Sequence, residues 1–66
     1  MLFGRERKRA ELRDAKAALD QLRAEMDAMV DAHGSIPAAR AVDFAAQLES
    51  LHSTIWRLKR ELGEHG

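Results

Sequence analysis

The stretch His33-Gly34-Ser35-Ile36-Pro37 constrains this chain more than any other, because it separates two segments of similar length that both carry a helical apolar period. Gly34 can take the left-handed conformation that commonly ends a helix. The Ser35 hydroxyl suits an N-cap, where it accepts a bond from an amide of the next helix. Pro37 fits the first helical turn, where its missing N–H costs little and its fixed φ is helical. The same proline biases Ile36 away from helical geometry. These signals place a turn over 33–37, between a helix of about 5–33 and a second of about 36–62.

The first segment repeats apolar residues at Leu12, Ala15, Leu19, Leu22, Met26 and Met29, in alternating steps of three and four. The second does the same at Ala41, Phe44, Leu48, Leu51, Ile55, Leu58 and Leu62. Each set forms an a/d seam along one narrow helical face. Folding the chain at Ser35 sets the seams opposite each other in pairs of constant sum: Leu12 with Leu58, Ala15 with Ile55, Leu19 with Leu51, Leu22 with Leu48, Met26 with Phe44, Met29 with Ala41. Several layers match a large residue with a small one, as interdigitating packing prefers. The expected fold is all-α, an antiparallel two-helix hairpin with heptad coiled-coil packing. Ala10, Ala17 and Ala24 also recur every seven residues, either as a close-packing face or as good surface helix formers.

A chain of 66 residues forms one domain, spanning 1–66. At that size a single core rarely supplies more than ~3–5 kcal/mol without a staple. Cysteine is absent, which removes disulfides and thiolate metal sites, and His33, His52 and His65 lack paired ligand spacing. Oligomerisation is the remaining staple. Val30, Val42, Ala45 and Trp56 lie beside the seams and widen the apolar face, so the hairpin is expected to dimerise into a four-helix bundle. The partner is a second copy, giving a homodimer, or helices of a larger protein.

Eleven basic and eleven acidic residues cancel, so net charge argues neither for nor against nucleic acid. Their placement is uneven. The open end of the hairpin holds Arg5, Arg7, Lys8, Arg9, Arg13, Lys16, Arg57, Lys59 and Arg60 against Glu6, Glu11, Asp14, Glu61 and Glu64. The loop end holds Arg23 and Arg40 against Asp20, Glu25, Asp27, Asp31, Asp43 and Glu49. In the first helix that order opposes the macrodipole, at a cost of about 0.3–1 kcal/mol per charge at low salt. An antiparallel second copy, with Arg9, Lys16 and Lys59 approaching Asp20, Asp27 and Asp43, would account for it. So would an anionic ligand at the open end, or plain solvation.

The candidate contact residues for a partner or nucleic acid are therefore Arg5, Arg7, Lys8, Arg9, Arg13, Lys16, Trp56, Lys59 and Arg60. Trp56 either anchors a partner surface or fills the broadened core of a bundle. Ser53 and His52 are adjacent on a helix and point apart, so they form no nucleophile–base pair. No glycine-rich phosphate loop, metal-ligand cluster or paired-carboxylate pocket is recognisable, and no cofactor is expected. Leu2 and Phe3 could touch a membrane surface, but two apolar residues give no stable anchoring. The expectation is a cytoplasmic, non-enzymatic interaction module acting as adaptor, scaffold or inhibitor. The alternative is a small nucleic-acid-binding regulator that uses the basic open end.

Overall fold

The computed structural model describes residues 2–63, with side chains described over 4–63. The expectations for Leu2 and Phe3 side chains and for the charge at Glu64 fall outside those residues. Among the described residues there are two helices, α1 (Leu2–His33) and α2 (Ala38–Glu61), packed against each other. With 32 residues, α1 is about 48 Å long at a rise of ~1.5 Å per residue. That equals the longest dimension of the molecule, which measures 48 × 18 × 15 Å.

The turn follows from the glycine. Gly34 has φ +79°, and its N–H donates to the Val30 carbonyl at 2.7 Å. This is the single-bond left-handed cap, and it satisfies one of the four carbonyls a helix end leaves open. The start of α2 differs from expectation. Pro37 itself is the N-cap, with φ −55° and ψ 143°, and no side chain caps the helix. Its carbonyl accepts from the Ala41 N–H at 2.9 Å. Ser35 lies two residues upstream of the cap position, too early for its hydroxyl to serve the first turn. At the other end α1 begins at Leu2 rather than near Arg5. Gly4 alone does not stop a helix, since its cost against Ala is only about 1 kcal/mol.

Burial follows the seams with a graded departure. Leu12, Ala15, Leu19, Leu22, Phe44, Leu58 and Leu62 are buried. Met26, Met29, Leu48, Leu51 and Ile55 are half-buried. Leu12, Leu58 and Leu62 form one cluster with Ile55 packed against it, which brings Leu12 and Leu58 together. Ala41, expected in the core opposite Met29, is exposed instead. It lies in the first turn of α2, and a helical Cβ leans toward the N-terminus, so its short methyl is directed to the loop. Near it, the Arg40 guanidinium sits 5.4 Å from the centroid of the Phe44 ring and covers that buried aromatic.

Truncating Leu22 or Leu58, 4 % and 1 % exposed, to Ala should cost ~2–5 kcal/mol in urea or thermal unfolding. Leu48→Ala should cost less, because Leu48 is only half-buried. Gly34→Ala meets no atom within 4 Å, so its cost is conformational alone. It should destabilise by about 1–2 kcal/mol, the penalty of a Cβ in the left-handed region.

Candidate interaction surface

At the open end, part of the expected contact set turns inward to hold the hairpin shut. Lys8 Nζ lies 2.6 Å from Glu61 Oε1 across the hairpin, and Arg57, one turn before Glu61 on α2, holds the same carboxylate with Nε 3.4 Å from Oε2. Arg5 donates to the Leu62 carbonyl at 3.3 Å. That carbonyl belongs to the C-cap of α2, which closes on Gly63 at φ +76°, with the Gly63 N–H donating to the Arg60 carbonyl. The first turns of α1 therefore run beside the negative end of the α2 dipole. Basic residues that oppose the dipole of their own helix complement that of the neighbouring one. This explanation of the charge order needs neither a second copy nor a ligand.

Glu61 was missed as a site residue. Continuing the seam register one step past Leu58 would have set the end of α2 beside Lys8 and exposed the pairing. Its carboxyl is lowered from the ordinary glutamate value, first by the Lys8 hydrogen bond, which outweighs an opposing desolvation, and with smaller help from the Lys8 and Arg57 charges.

The remaining contact residues face outward. Arg7, Arg9, Arg13, Lys16 and Arg60 are exposed and Lys59 is half-buried. Arg13 Nε approaches Asp14 only to 4.0 Å, with both side chains largely in solvent. Arg9, Arg13 and Lys16, with Leu12, Ala17 and Asp20, line a shallow depression of about 510 Å³ on α1. Trp56 is 61 % exposed and borders a second depression of about 300 Å³ with Arg57, Arg60 and Glu61.

The two sides of the hairpin are not alike. In an antiparallel pair, the residue that follows a seam position falls on the same side in both helices, and the residue that precedes it falls on the other. The preceding residues are Glu11, Asp14, Ala18, Gln21, Glu25 and Ala28 on α1, and Arg40, Asp43, Gln47, Ser50, Thr54, Arg57 and Glu61 on α2. None is a large apolar residue. The following residues are Arg13, Lys16, Asp20, Arg23, Asp27 and Val30 on α1, and Val42, Ala45, Glu49, His52, Trp56 and Lys59 on α2. Among the described residues the exposed large hydrophobics, Val30 at 43 %, Val42 at 69 % and Trp56, all belong to this second set. One broad side thus holds the large apolar side chains exposed outside the seam.

Among the described residues no group of three or more His, Asp or Glu side chains could hold a metal ion, and no helix is long and apolar enough to cross a membrane. No protein-family model, curated protein or solved structure matches the chain.

The Glu61 clasp has a definite pH signature. A carboxyl with a lowered folded pKa contributes stability above its unfolded pKa, about 4.3 for Glu, and loses it as pH falls through the lower folded value. Glu61→Gln should therefore melt below the unmodified chain at neutral pH. The two melting temperatures should converge as pH is lowered through the carboxylate range, as thermal unfolding followed by circular dichroism would read.

Proposed function

We propose that this chain is a non-enzymatic helical-hairpin interaction module, an adaptor, scaffold or inhibitor that completes its fold by packing its apolar side against further helices. The observation that carries the reading is an excess of surface. A compact monomer of 7.4 kDa exposes about 4,200 Å² by the usual size scaling. This hairpin exposes 5145 Å². The difference, about 900 Å² relative to that scaling, is close to the ~800 Å² each partner loses in a standard protein interface. Exposed Trp56, Val42 and Val30 on one side supply the apolar part of that area. Packing there would turn the hairpin into part of a larger bundle, in keeping with the heptad spacing of its seams. The cytoplasmic location expected from the sequence belongs to the same reading.

The depression lined by Arg9, Arg13 and Lys16 favours a second reading, a nucleic-acid-binding regulator. It draws on fewer residues than the sequence suggested, because Arg5 and Lys8 are engaged within the hairpin.

One pair of measurements separates the readings. Helicity and melting temperature should rise with chain concentration or on adding a partner, because a module of this kind is stabilised by what it binds. A folded monomer whose melting is cooperative, high and independent of concentration would overturn the module. Binding to short DNA and RNA duplexes near about 50 mM salt, fading steeply as salt rises, would instead establish the regulator.

A further inference from the structure

We propose that the partner is a second copy of this chain, packed antiparallel across the apolar side so that α1 lies on α1 and α2 on α2 of the other copy. The inference rests on the interaction-module reading and specifies its occupant.

Turning one hairpin end for end over another with nearly full overlap puts the two-fold axis close to residue 21 of α1, and the charges there select an axis between residues 21 and 22. Positions on α1 then meet in pairs summing to 43. Lys16 meets Asp27 of the second copy and Asp20 meets its Arg23. Both pairs are opposite in sign, and each occurs twice by symmetry.

The Leu12–Leu58 apposition carries the same axis across to α2, where it falls between residues 48 and 49. Positions on α2 then meet in pairs summing to 97, so that Ala45 meets His52 of the second copy and Val42 falls within one residue of its Trp56. The two most exposed large hydrophobics, 14 positions apart on α2, thus cover each other. Leu48, half-buried in the hairpin, lies beside the axis and is covered as well.

Charge on α1 and apolarity on α2 favour registers that agree to within one residue. A parallel arrangement instead sets the basic open ends together and leaves the acidic loop ends together. One approach in the antiparallel dimer is unfavourable, since Glu49 lies within one residue of the axis and so close to its own copy. The face as a whole is self-complementary, as an isologous contact requires.

The test is a charge exchange on the full chain, followed by sedimentation across concentration with circular dichroism as a check on folding. Lys16 and Asp27 are both exposed, so neither substitution disturbs the core. Lys16→Asp or Asp27→Lys alone should weaken the dimer roughly tenfold, because attraction becomes repulsion at two symmetric places. The two substitutions combined in one chain should restore most of the affinity. Glu49→Gln should tighten the dimer by relieving the repulsion between the two copies of this carboxylate.

Failure of the combined variant to recover would overturn this pairing while leaving the module reading intact. An unfolded chain at every concentration would overturn the second copy as partner, and it too leaves the module standing. A stable folded monomer would end both.

Discussion

Two helices share one line of contact, and that line is all the apolar burial this fold can generate for itself. Every helix turns only a narrow stripe toward its partner, so the residues flanking the stripe stay wet however well the seam packs. In this chain the seam is well filled along α1, from Leu12 to Leu22, and thins along α2, where Leu48, Leu51 and Ile55 remain half-buried. The deficit is structural rather than a flaw of packing. A third or fourth helix is the usual remedy, and the apolar flank is confined to the side where one would fit.

The charges obey a related economy. Taken alone, α1 is built against its own dipole, with arginines and a lysine where acids are preferred. Antiparallel pairing changes the accounting, because each helix end lies beside the opposite pole of its neighbour. Arg5 reaches the last carbonyls of α2 and Lys8 reaches Glu61. The hairpin therefore recovers, between helices, some of what α1 gives up within itself. Exposed pairs contribute little, so these contacts orient the closed form more than they stabilise it.

How much of this was legible in the sequence varied with the kind of residue. Gly34 was readable because one backbone conformation suits it and few other residues. The seams were readable because alternating steps of three and four have no competing explanation over so many turns. The Ser35 cap was not, since whether a hydroxyl reaches an amide depends on a shift of two residues that Pro37 decides through its extended ψ. Ala41 was misplaced for a similar reason: a periodic position at a helix end has the right angle but no neighbour over it. The open end was legible as a basic cluster but not as a clasp. Charge counts do not say which arginine turns inward, and Glu61 appeared only as one acid among several.

The best-buried cluster, Leu12 with Leu58 and Leu62, sits at the end of the hairpin farthest from the turn. Beside it, the Arg5 hydrogen bond joins residues separated by 57 positions. A hairpin that zips outward from its turn would complete this cluster last, after closing nearly the whole chain into a loop. The entropic cost of that closure grows only slowly, by about 0.6 kcal/mol for each doubling of loop length. At that end the two helices are joined by buried leucines, an ion pair and a side-chain bond to backbone, whereas Met26 and Met29, nearer the loop, are only half-buried. Such a molecule resembles a safety pin fastened near its tips.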